Sequence, residues 1–204
     1  MRLVLLLVIV IAFSGRAQPE SNSILVLGNH KHVCGIDSTA HFPEFLPQSL
    51  DSFDVIILFS NAESKLTKTE IQRIQQFVEN GGGLYCGAEN WPLQAESNQF
   101  TEEVYNKQSF GSYHQSKAES AGNAGNLSLD TLAYIPAGNT TVAFPMDYRL
   151  NVEAWVEDEP LILSGNIGAG RVIIDGGYSR FYCAARNEIT DQMLHDFLSY
   201  LRGD

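Results

Sequence analysis

Residues 54–88 run strand, helix, strand with short links, and few arrangements of a chain satisfy that order. Residues 54–59 (DVIILF) are a continuous apolar run, the pattern of a strand buried on both faces. Thr67 and Glu70 have the spacing of a capping box, and Ile71, Ile74, Phe77 and Val78 recur at helical spacing as one apolar stripe. Asn80-Gly81-Gly82-Gly83 then stops the helix, because glycine tolerates the left-handed cap, and Leu84-Tyr85-Cys86 resumes as a strand. Such a βαβ unit implies parallel strands and a right-handed crossover.

The rest of the chain fits around that unit. Residues 24–28 (ILVLG) read as another buried strand, followed by a polar loop over 29–41 that holds three of the five histidines. A short helix is predicted over 42–50, a helix over 100–108 and a surface loop over 111–126. Residues 127–135 and 141–144 read as short strands. Residues 161–164 and 172–175 flank a glycine-rich turn and predict a hairpin. The last helix is predicted from 188 to 202, with Ile189, Met193, Leu194, Phe197, Leu198 and Leu201 on one face. With 44% hydrophobic and 18% charged residues and no internal repeat, the chain is expected to form one globular domain over 18–204.

Residues 1–17 are set apart. Met1-Arg2 is a short charged start, residues 3–13 are unbroken apolar sequence, and Ser14-Gly15-Arg16-Ala17 supplies small residues where a signal peptidase would cut. The run is about half the ~20 apolar residues a membrane span needs, so it predicts a cleaved signal peptide and a secreted or periplasmic domain. No span is expected in the remainder. Cleavage after Ala17 leaves 11 basic residues against 24 acidic and a net charge of −13, which argues against nucleic acid as a partner. Cys34, Cys86 and Cys183 remain, an odd number that allows one disulfide whose pairing the spacing leaves open.

The order of a DVIIL strand, an LTxxE helix start, FVENGGGL and a strand ending in Gly87-Ala88 resembles the class I glutamine-amidotransferase-like superfamily, in particular its ThuA-like, trehalose-utilisation branch. Residues 168–177 (GAGRVIIDGG), followed by a loop and an apolar helix, resemble that branch's closing strand and final helix. Together the two blocks span about 75 residues. The resemblance implies a flavodoxin-like three-layer sandwich with a mostly parallel central sheet and a C-terminal antiparallel hairpin. It also implies a ligand site beyond the carboxyl ends of the strands. Working amidotransferases carry a Cys at a strand-to-helix elbow and a His after the last strands. Here the elbow falls near Ala88 or Glu89, past Cys86, and Gly176-Gly177-Tyr178 stands where the His would be. No histidine lies between His114 and His195, and a phenol titrating near ~10 is a poor base at neutral pH. The chain is therefore expected not to perform amidotransferase catalysis.

Several residues remain candidates for other roles. Glu89, Asn90 and Trp91 sit at the expected elbow, where an acid beside an indole suits a sugar: the ring stacks on its apolar face and the carboxylate takes hydroxyls. The alternative is that Trp91 packs the next helix, started by Pro92. Tyr178, Arg180 and Tyr182 follow the last parallel strand and either line the same cleft or pack against one another. Cys86 reads as a buried core residue, an activated thiol or a disulfide partner of Cys34 or Cys183; no CxxC pair supports a redox role. His30, His32 and Cys34 alternate along an extended segment and form a candidate Zn²⁺ set that Asp37, His41 or Glu89 would complete; the other reading is an ordinary polar loop without a cofactor. Asn126 and Asn139 open glycosylation sequons. Two functional expectations follow. One is an exported, non-catalytic domain that binds a carbohydrate or an envelope protein in its strand-end cleft. The other is a carbohydrate-active or metal-dependent hydrolase using the His30/His32/Cys34 loop and Glu89.

Overall fold

A computed structural model of the protein describes residues 23–36, 39–114, 117–122 and 125–204. The segment read as a signal peptide and the candidate ligand Asp37 lie outside them.

Strands β1 (Ile24–Gly28), β2 (Val55–Phe59) and β3 (Gly83–Gly87) form in chain order, with helix α1 (Lys68–Glu79) between β2 and β3. Helix α2 (Ala95–Tyr105) is followed by β4 (Phe110–His114), β5 (Ala118–Ser120), β6 (Thr140–Ala143), β7 (Leu150–Val156), β8 (Glu159–Ile167), β9 (Gly170–Asp175) and α3 (Glu188–Arg202). The main sheet has the order β1-β2-β3-β9-β8-β7-β5, and β4 pairs with β6 in a separate two-stranded ribbon. β1, β2, β3 and β9 are parallel neighbours; β8, β7 and β5 add antiparallel at the far side. The architecture is the expected flavodoxin-like sandwich.

The period-two alternation of strand side chains divides the core into two layers. Ile24, Val26, Val55, Ile57, Phe59 and Tyr85 join Met193, Leu194, Phe197 and Leu201 of α3. Leu25, Leu27, Ile56, Leu58, Leu84 and Cys86 join Ile71, Ile74 and Val78 of α1 and Phe100 of α2. Thr67 and Glu70 form the capping box at the start of α1, as their spacing predicts.

Some sequence expectations give way. Residues 42–50 are irregular, because Pro47 lacks an N–H and would collide with the carbonyl four residues earlier; Leu46 and Leu50 are buried without a helix. The helix expected over 100–108 begins five residues earlier and stops at Asn106, which takes the left-handed conformation at φ 54°. The surface loop expected over 111–126 contains most of β4 and all of β5. Residues 127–135 are not a strand: a 3-10 turn at Leu129–Thr131 folds them back, with one bridge from Ile135 to Ala118. The hairpin is longer than expected, and β7, which the sequence did not announce, extends it.

A candidate binding cleft at the strand ends

Beyond the carboxyl ends of β1, β2, β3 and β9 the backbone is cross-linked segment to segment. Asn29 N–H donates to Phe59 O at 2.8 Å, Ser60 N–H to Gly87 O at 3.0 Å and Ala88 N–H to Asp175 O at 2.7 Å. The histidine loop, the elbow after β3 and the segment after β9 therefore gather at one end of the sheet.

Glu89 stands at the elbow, fully buried. One carboxylate oxygen accepts the Ser179 N–H at 2.6 Å and the other accepts the Thr140 hydroxyl at 2.5 Å. Burial raises its carboxyl from 4.5 to about 7, with the hydrogen bonds from Ser179 and Thr140 and the nearby Arg180 pulling the other way. Thr140 arrives from β6, which fastens to the end of β9 through Val142 N–H to Gly176 O at 2.9 Å. Glu89 thus ties three segments together.

Tyr178 and Arg180 converge on the same place but are enclosed. The Tyr178 hydroxyl donates to Ser60 O at 2.9 Å and accepts Asn29 Nδ2 at 3.1 Å. Arg180, 1% exposed, pairs with Asp175 at 3.0 Å and donates to Gly177 O and Ala137 O. Asp175 also accepts the Tyr85 hydroxyl at 2.6 Å and the Gly177 N–H at 2.9 Å. Every polar group in this network has a partner within the fold, so it braces the cleft floor. Tyr182 packs edge-on against Tyr178 and His32.

A Cβ on Gly176 would lie 1.8 Å from Val142 O, and one on Gly177 2.0 Å from Ala137 O, so the backbone of 137–142 leaves no room for a side chain at either glycine. Cys86 alternates with Tyr85 and faces α2; its sulfur lies 3.2 Å from the Ser97 hydroxyl, and burial pushes the thiol up to about 12. It is the free cysteine.

Cys34 and Cys183 form a disulfide that joins the loop after β1 to the loop after β9, flanked by Cys34 N–H to Phe181 O at 3.1 Å and Cys183 N–H to His32 O at 2.8 Å. This corrects the zinc expectation: the Cys34 sulfur is committed to a covalent bond and offers no thiolate. His30 uses its Nδ1 on Gly28 O at 2.9 Å and its ring against Phe42. His41 stacks edge-on against Phe53. Among the described residues no three His, Cys, Asp or Glu side chains gather as a metal site.

The solvent-facing part of the elbow is Asn90 and Trp91. The Trp91 ring is 80% exposed, ahead of a cis peptide to Pro92. Asn90 Nδ2 donates to Ser112 Oγ at 3.3 Å and lies 3.5 Å from His114 Nε2; Ser112 and His114 are themselves 3.0 Å apart. Ser112, His114, Thr140 and Ser179 were not singled out from the sequence. Ser112, His114 and Thr140 reach the elbow through the β4–β6 pairing, which no local motif announces, and Ser179 reaches it from the segment after β9. Of the sequons, Asn126 uses its amide nitrogen on Ser164 at 2.8 Å, whereas Asn139 is exposed.

In fold the chain is similar to several solved structures of low sequence identity. A putative ThuA-like protein from Bacteroides uniformis ATCC 8492 superposes with a TM-score of 0.57 at 12% identity, over 91% of this chain and 93% of that one. A cytoplasmic protein from Salmonella typhimurium LT2 gives 0.63 at 14%, over 88% and 99%. A β-galactosidase from Bacillus circulans sp. alkalophilus gives 0.55 at 14%, over 76% of this chain but 23% of its own length. At these identities the likeness concerns fold alone. No protein-family model matches the chain, and no curated protein matches it in sequence.

Proposed function

We propose that the protein is an exported, non-catalytic member of the glutamine-amidotransferase-like superfamily that binds a carbohydrate at its strand ends. The observation that carries this reading is the elbow itself. Where the superfamily places a nucleophile, this chain has Glu89 held by Ser179 and Thr140, and next to it an indole open to solvent. An exposed Trp beside a ledge of hydroxyl, amide and imidazole groups matches the two faces of a sugar ring, one apolar and one hydroxylated. Export is supported by the charged start and apolar run at 2–13 and by the Cys34–Cys183 bond, since structural disulfides belong mainly to oxidising compartments.

A panel of neutral methyl pyranosides and their oligomers, titrated against Trp fluorescence in a Trp155→Phe background, tests the reading. Saturable quenching is expected, and Trp91→Ala, which removes the reporter, is expected to show no binding heat by isothermal titration calorimetry where wild type does. A flat response across the panel would remove carbohydrate from the proposal.

One observation favours a second reading, a carbohydrate-active hydrolase. Burial pushes the Glu89 carboxyl up to about 7, a useful value for a general acid. Hydrolysis of nitrophenyl glycosides that disappears in Glu89→Gln would establish it over simple binding.

A further inference from the structure

The β4–β6 ribbon carries a local irregularity directed at the cleft. Phe110 pairs with Ala143 and Tyr113 with Thr141, so β4 takes three steps where β6 takes two, and one extra residue bulges out. Gly111 supplies the bend at φ +77°, a conformation a side chain at this position would strain. Bulges re-aim side chains, and Gly111 and Ser112 lie inside this one. From there the alternation of the strand puts Ser112 and His114 on one side, both exposed and both against Asn90. The contacts form a chain: Asn90 Nδ2 donates to Ser112 Oγ, and Ser112 Oγ shares a hydrogen bond with His114 Nε2. Donor and acceptor capacity is left at each end for a ligand.

We infer that Ser112, His114 and Asn90 form a hydroxyl-reading ledge for a neutral pyranose ring stacked on Trp91. This rests on the carbohydrate reading above and assigns the groups that read the sugar's hydroxyls. The chain's acidic balance, with a pI of about 4.8, disfavours anionic sugars, so uronic acids are excluded from the ligand class.

The same fluorescence titration separates the claims. Ser112→Ala and His114→Ala are each expected to weaken a neutral sugar that wild type binds by about tenfold, the worth of a hydrogen bond near 1.4 kcal/mol, with Ser112→Thr restoring most of the loss. A uronic acid is expected to bind at least ~10-fold more weakly than its neutral parent. Both positions are exposed, and matching thermal melts would confirm intact folding. If calorimetry shows that Trp91→Ala abolishes binding while both ledge variants stay within about twofold of wild type, the ledge is wrong and the carbohydrate reading stands. If no sugar quenches, both fall. If the protein hydrolyses p-nitrophenyl acetate and either ledge variant abolishes that activity, Ser112 and His114 are a nucleophile and its base, and the binding role assigned to them is overturned.

Discussion

Glu89 joins structure and chemistry in one side chain. Folding moves its carboxyl from 4.5 to about 7, so between those values the folded protein holds a proton that the unfolded chain has released. The slope of stability with pH is then negative: the contribution is intact below 4.5, declines as pH rises towards 7, and is flat above. A displacement of this size corresponds to about 3 kcal/mol. Glutamine keeps an acceptor for Ser179 N–H and cannot ionise, and the Thr140 hydroxyl can turn to accept from its amide. Urea melts should therefore show Glu89→Gln close to wild type at pH 4.5 and more stable at pH 8.5, by up to about 3 kcal/mol. Equal stabilities at both pH values would mean that the carboxyl is not displaced. Cys86 illustrates the opposite outcome at residue scale. Its place between Leu84 and Ala88 fixes its parity, which sends the thiol into the α1–α2 layer and away from Cys34 and Cys183.

At the scale of elements, what the sequence disclosed depended on how local the signal was. The βαβ unit was legible because the buried runs, the capping box and the triple glycine all lie within 54–88. β7 was not, for two reasons. Glu153 sits within it and is buried, its carboxylate accepting Asn126 and Leu127 N–H and the Ser164 hydroxyl. The turn to β8 is made by Glu157 and Asp158 at φ 47° and 66°, where an Asn-Gly pair would have signalled a hairpin. The candidate site divides the same way. Glu89, Asn90 and Trp91 are contiguous and could be read, but Ser112, His114 and Thr140 arrive by long-range pairing. The disulfide belongs to this scale as well. It closes a separation of 149 residues and ties the β1 loop to the β9 loop, where Val33 bridges Tyr182. Cys34→Ala/Cys183→Ala is expected to cost about 2–5 kcal/mol in denaturant melts. Hydrogen exchange should rise first in 29–36 and 178–186 while α1 and the central strands stay protected. Uniform loss of protection across the sheet would show that the bond supports the whole fold and not the cleft wall.

For the molecule as a whole, the sandwich places the segments after β1, β2, β3 and β9 on one side and braces them internally. Arg180, Asp175, Tyr85 and Tyr178 satisfy one another and the backbone, which leaves Trp91, Asn90, Ser112 and His114 as polar and aromatic groups open at the rim. The fold is shared with proteins of differing names, so the fold alone assigns no role. The most direct test is an amide and indole chemical-shift map recorded while methyl β-glucopyranoside and its neutral epimers are titrated into the protein. The account predicts that at least one of them moves the Trp91 indole together with the amides of 89–91, 112–114 and 139–141, leaving the opposite end of the sheet still. Shifts confined to any other surface, or none with any of the sugars, would contradict it.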